Sequence, residues 1–147
     1  MILLRDFQIK DIIISEDYKN TVPGENKMQR AIQKYEQTGL LPTNIIINDK
    51  NVLIDGYITY LLAVLYGVEQ LNVYRGYIEV VEAVHYTGSP KSYMWSVPLG
   101  LYGRIQPGNH VIVRTTQGVR RVLVKSIIRQ QYLDQACRHK RVCKLCD

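Results

Sequence analysis

A chain of 147 residues and 17.0 kDa has room for one ordinary domain or two small ones, which excludes a large multidomain enzyme. Its 46% hydrophobic and 22% charged residues lie near the globular average and argue against disorder of the whole chain, and no apolar run approaches the roughly 18 residues of a membrane span. The net charge of +6 is unevenly spread: residues 1–80 hold eight Lys/Arg against ten Asp/Glu, whereas residues 81–147 hold eleven against three. Concentrated basicity is the footprint of a polyanion-binding surface, although it serves solubility equally well.

The start, Met1 to Asp6, meets a charge before a secretory segment develops, so a cytoplasmic protein without a membrane partner is expected. Cys137, Cys143 and Cys146 all fall near the end of the sequence, an odd cluster unlike a disulfide framework, and this fits a reducing compartment. Eleven tyrosines against one Trp and one Phe suit half-exposed aromatic faces whose hydroxyls want water or a partner.

Taken in chain order, the β-branched segment Phe7–Ile14 predicts a strand, and Pro23-Gly24 punctuates it. Met28, Ala31, Ile32 and Tyr35 recur at helical intervals between Glu25 and Thr38, with Gly39 as the stop. Ile45–Ile47 and Val52–Ile54 flank Asn48-Asp49-Lys50, a hairpin pattern. Tyr57–Tyr66, closed by Gly67, reads as a buried helix, and Leu71–Tyr74 as a returning strand. After Gly76 the pattern changes to short strands: Tyr77–Tyr86, Tyr93–Val97, His110–Thr115 and Val119–Ile128, with turns at Thr87–Lys91, Pro98, Pro107-Gly108 and Gln117-Gly118. Gln130–Ala136 reads as a short helix before a basic tail.

The expectation is an α+β protein: a mixed-sheet domain over residues 1–76, a small SH3-like or OB-like β-barrel over residues 77–129, and a short helix with a Cys-containing tail over residues 130–147. The hairpin around Ile105–Val113, Gly118 and Val122–Val124 loosely resembles that of small SH3-like barrels.

Two regions suggest chemistry. In the first, a strand breaks at Asp55-Gly56 and opens a helix, so that backbone N–H groups and the positive end of a helix dipole are offered to a phosphate; the alternative is a plain tight turn. Asp55 is expected as an acidic helix N-cap toward the N–H of Ile58 or Thr59. Lys27 at the first helix start, the Thr38-Gly39 ending, Ile45–Asn48, Leu53–Gly56, and the apolar helix with its Gly67 turn together resemble the ParB/sulfiredoxin-like domain over about residues 7–76. That resemblance implies the fold, a nucleotide or phosphate site at Lys27, Asp55, Gly56, Tyr57 and Thr59, and a bacterial, plasmid or prophage setting. The family's basic pair after the glycine reads Ile58-Thr59 here, and Tyr57 stands at the sulfiredoxin cysteine. Sulfiredoxin activity is not expected, and no catalytic set is assigned.

In the second region, Tyr93 and Trp95 lie among Lys91, Arg104, Arg114, Arg120, Arg121, Lys125 and Arg129. Rings interleaved with cations hold single-stranded nucleic acid by stacking plus phosphate attraction, and the same two rings are equally one side of a barrel core. Arg120 and Arg121 point to opposite faces of a regular strand. In the tail, Cys143-x-x-Cys146 has zinc-knuckle spacing that Cys137 and His139 would complete; the alternative is an unordered basic tail with free thiols and no cofactor.

The expected function is that of a noncatalytic nucleic-acid-associated protein, binding DNA or RNA or a nucleic-acid-bound partner through its basic second half. The alternatives are a nucleotide-binding enzyme acting through the N-terminal cleft, by triphosphate hydrolysis, phosphotransfer or nuclease action, and a homo-oligomeric interaction module.

Overall fold

In the computed structural model, which describes residues 1–20, 22–131 and 140–146, the first strand β1 spans Ile2–Gln8 rather than Phe7–Ile14. Its ladder with a later strand stops at Gln8, and the chain then winds through a 3-10 turn, Ile9–Asp11. Residues three apart share one side of such a turn, which brings Ile9 and Ile12 together in the core. The β-branched run thus serves burial without being a strand, and Ile13 keeps only an isolated bridge to Val52.

After a single-turn helix α1 (Glu16–Lys19), helix α2 occupies Glu25–Thr38, the predicted range. Gly39 ends it in the left-handed conformation, φ 70°, with its N–H donating to the Tyr35 carbonyl at 2.7 Å. No residue of α2 is fully buried; Met28, Ala31, Ile32 and Tyr35 are half-buried. Strands β2 (Ile46–Ile47) and β3 (Leu53–Asp55) form the expected hairpin, whose turn is organised by the buried Asn48. Its Oδ1 accepts the N–H groups of Lys50 at 2.9 Å and Val52 at 3.0 Å, an Asx-type turn.

Helix α3 (Tyr57–Leu65) was expected to be buried, but full burial reaches only Thr59, Leu62 and Ala63, and Val64 and Leu65 are exposed. A helix lying on one face of a sheet turns one stripe inward, whatever the polarity of the others. Strand β4 (Gln70–Arg75) completes a four-stranded sheet of order β1-β4-β2-β3, parallel only between β2 and β4. Ile45, Ile47, Leu53, Ala63 and Val73 form its core with Ile9 and Ile12.

The chain divides into two compact units, Met1–Tyr77 and Ile78–Asp147. The second contains β5 (Ile78–Val84), β6 (Tyr93–Ser96), β7 (His110–Thr115), β8 (Gly118–Gln130) and β9 (Val142–Leu145) in the order β6-β5-β8-β7-β9, all antiparallel. At 13 residues β8 is longer than expected, because its two halves serve different neighbours, β7 up to Leu123 and β5 from Leu123 to Gln130, with a register shift within the second ladder. Gln130, placed in a helix by sequence, belongs to this strand, and residues 132–136 of that predicted helix lie outside the described residues.

The tail departs furthest from expectation. Val142–Leu145 is a strand on β7, and Val142 is part of the core with Val81, Trp95, Val97, Val111, Val113 and Val122. A bridge between Ser96 and Arg141 and a bond from the Ser96 N–H to the Lys140 carbonyl, 2.9 Å, tie β6 to the chain entering β9, so the two margins of the sheet meet. The fully buried Glu79 is held at the other end: Oε2 accepts the Gly103 N–H at 3.2 Å, and Oε1 accepts Nε–H of Arg129 at 3.1 Å. No described helix is long and apolar enough to cross a membrane.

Candidate nucleic-acid interface

Side chains two apart on a strand share a face, and in β6 this sets Tyr93 and Trp95 side by side with centroids 6.0 Å apart. Trp95 is 5% exposed and belongs to the core, whereas Tyr93 is 39% exposed. His85, which follows β5, meets both rings edge-on, at 5.4 Å from Tyr93 and 6.3 Å from Trp95. The core reading therefore applies to Trp95, which is the floor, whereas Tyr93 is the accessible surface.

Three cations join these rings. Arg120 stands opposite Val113 in the β7–β8 ladder, on the side of the sheet that carries the core, and Arg121 stands opposite Ile112 on the other side. Arg114 adjoins the hairpin turn, and Lys140 arrives with the segment bonded to Ser96. Tyr93, Trp95, His85, Arg114, Arg120 and Lys140 line one cavity of about 630 Å³. Ser92 and Thr115–Gln117 add neutral hydrogen-bonding groups, and no carboxylate is among the described lining residues. Lys91 lies beside the cavity, with Nζ 5.1 Å from the Tyr93 centroid.

Of the sequence-predicted residues, then, the fold gathers Tyr93, Trp95, Arg114 and Arg120, with Lys91 next to them. Arg104, Arg121, Lys125 and Arg129 do not line the cavity. Lys125 faces Glu82 at 3.8 Å, and Arg129 is committed to Glu79. Sequence reasoning missed His85 and Lys140. His85 shares the strand parity of Val81 and Ala83, a signal that was present; Lys140 depended on recognising β9.

In the first unit, Gly56 holds the N-cap position of α3 with φ 92°, so Asp55 is not the cap as expected but the last residue of β3, paired with Ile46. A Cβ at residue 56 would lie 2.5 Å from the Asn44 carbonyl oxygen and 2.9 Å from Ile45 Cα, so backbone fills the space beside the glycine. The Thr59 hydroxyl donates to the Thr43 carbonyl at 2.9 Å and accepts the Thr43 N–H at 3.2 Å. The Tyr57 ring packs 4.7 Å from Tyr18, and Lys27 is exposed in the first turn of α2. Of the five expected phosphate-site residues, only Thr59 lines the nearby cavity of about 230 Å³ beside Leu41–Ile45.

Cys143 and Cys146 are exposed. Cys143 is within β9, and the Cys146 N–H continues the ladder to the His110 carbonyl at 2.9 Å. On extended chain, residues three apart are about 10 Å apart and point to opposite faces, unlike the tight turn of a zinc knuckle. Cys137 and His139, the other expected ligands, lie outside the described residues. Among the described residues no group of three or more His, Cys, Asp or Glu is arranged to hold a metal ion.

Comparison with known proteins gives one similarity: residues 79–147 match the model of a family of unknown function, DUF5839. No curated protein and no solved structure matches the chain. The matched segment begins one residue inside the second compact unit and covers the whole basic, aromatic cavity, which is thus a feature of the part that resembles that family.

Proposed function

We propose that this protein is a noncatalytic nucleic-acid-associated accessory protein whose binding surface is the basic cavity of residues 78–147. One observation carries the reading: Arg114, Arg120 and Lys140 share a concavity with Tyr93, Trp95 and His85, with no carboxylate among the described residues that line it. Guanidinium and ammonium groups attract phosphate, rings accept bases, and release of condensed counterions drives association. The rolled five-stranded sheet has the strand number of small barrels of the OB type, and we propose it as a barrel module of that size class. The N-terminal unit has the element sequence strand, helix, hairpin, helix, strand, in keeping with the proposed ParB/sulfiredoxin-like ancestry and a plasmid or prophage setting.

The test is retention on heparin and on labelled oligonucleotides across a salt series. Binding is expected at about 50 mM salt and weakens as salt rises to about 200 mM. Each of Arg114→Ala and Arg120→Ala reduces the salt slope by roughly one. Absence of all polyanion binding at low salt removes the proposal.

A further inference from the structure

The nature of the bound nucleic acid follows from the cavity's shape, an inference that rests on the reading just given. Its volume of about 630 Å³ is that of a pocket for a compact molecule, roughly 300–1,000 Å³, and corresponds to about one or two nucleotides. A duplex has its bases stacked inside and offers phosphates and groove edges to a protein. The rings of this cavity have no role against such a surface. An unpaired base, by contrast, exposes its face.

The ring geometry restricts how that base sits. Tyr93 and Trp95 are 6.0 Å apart and inclined by 44°, too close and too tilted for a base to enter between them, and Trp95 is almost wholly buried. Tyr93 therefore offers the stacking surface. Arg114, Arg120 and Lys140 line the same cavity, as do Ser92 and the Thr115–Gln117 turn with their neutral hydrogen-bonding groups. Lys125 and Arg129, which would have extended a basic track along β8, face the carboxylates of Glu82 and Glu79.

We propose that the cavity is a single-strand site for a minimal stretch of nucleic acid, one unpaired base stacked on Tyr93 with its flanking phosphates on Arg114, Arg120 and Lys140. The number of contacted phosphates is small, so the salt slope is shallow, about −2 for three cations on a single strand.

The 147-residue chain contains one tryptophan, Trp95, which makes its fluorescence a reporter of this cavity. Titration with oligodeoxythymidylates and oligouridylates of two to ten nucleotides is expected to reach full affinity by about three, with later gains only in proportion to the number of registers. Tighter binding of either series supports the proposal and names the sugar. A duplex of ten base pairs binds about tenfold more weakly or worse. Tyr93→Ala loses about tenfold or more toward single strands while duplex and heparin binding persist, and Tyr93→Phe restores the wild-type affinity. Equal affinity for duplex and single strand, affinity rising with every added phosphate to ten, or unchanged single-strand affinity in Tyr93→Ala would overturn the single-strand site and leave the nucleic-acid reading standing. Loss of heparin, duplex and single-strand binding together would remove both.

Discussion

At Gly56 a single hydrogen atom decides whether the hairpin and α3 fit together. The residue combines φ 92° with a carbonyl oxygen 2.5 Å from where a Cβ would stand, so two separate costs meet at one position. The left-handed conformation alone costs a non-glycine residue about 1–2 kcal/mol, and displacement of the Asn44–Ile45 backbone adds to it. Gly56→Ala is expected to destabilise the protein by about 2–4 kcal/mol in urea unfolding. It should leave heparin retention at low salt unchanged for the folded fraction. Sequence marked Gly56 as special, with a tight turn and the approach of a phosphate as its two readings, and the fold brings its own chain against the glycine. The same holds for Thr59, whose hydroxyl is legible as polar in an apolar helix, whereas its partner Thr43 lies sixteen residues back and no local pattern connects them.

The scale of elements shows how differently two helices are anchored. Helix α3 is fixed by buried side chains, but α2, with none, leans on it through Tyr35 and Tyr66, rings 4.6 Å apart, and through the Tyr66 hydroxyl donating to Glu36 at 2.7 Å. That donation, with lesser effects of desolvation and nearby charge, holds the Tyr66 pKa above its ordinary 10.0. The protonated phenol is the form the fold favours. Its contribution is complete below pH 10, and it disappears as pH climbs through the raised folded value, because there the unfolded chain has already lost the proton. Ultraviolet titration of wild type minus Tyr66→Phe should isolate one phenol that ionises later than an ordinary tyrosine. The amides of α2 should exchange faster in Tyr66→Phe at neutral pH. A difference spectrum centred at or below pH 10 would contradict the assigned bond.

The strands teach a second lesson at this scale. Hairpins with turn residues between them were legible: β2–β3 and β7–β8 both fall where Asn48–Lys50 and Gln117-Gly118 announce a reversal. Strand β9 was not, because Val142-Cys-Lys-Leu145 has one strongly β-branched residue among polar and basic neighbours, and its partners on β7 are about thirty residues away in sequence. Its worth lies in Val142, 3% exposed within the core. Val142→Ala is expected to lower stability by about 1–2 kcal/mol, and Val142→Asp to abolish the folded state of the second unit, read by loss of the Trp95 environment. An unchanged unfolding midpoint in Val142→Ala would show that β9 adds nothing.

For the whole molecule, the charge asymmetry visible in sequence gains its meaning only from pairing and register. Counting gave eleven basic residues after residue 80, but the ladder turns Arg121 away from Arg120, and Glu79 and Glu82 each engage a cation. What remains beside the rings, among the described residues, is a compact group of Arg114, Arg120 and Lys140 with Lys91 next to it, instead of a continuous basic stripe. The two core clusters are separate, one for each unit, and the sequence pattern changes from mixed to short strands after Gly76.

The bond between Ser96 and Lys140 also sets a timetable for synthesis. The first unit has every strand once Arg75 is available, whereas the ring of the second cannot shut until residues about 70 positions later have been translated. At roughly 5–20 residues per second that is an interval of about 4–14 s. For the part of it that follows the synthesis of β6, that strand has an open flank, so a newborn chain passes through a stage in which its second half needs shielding while its first has all its strands.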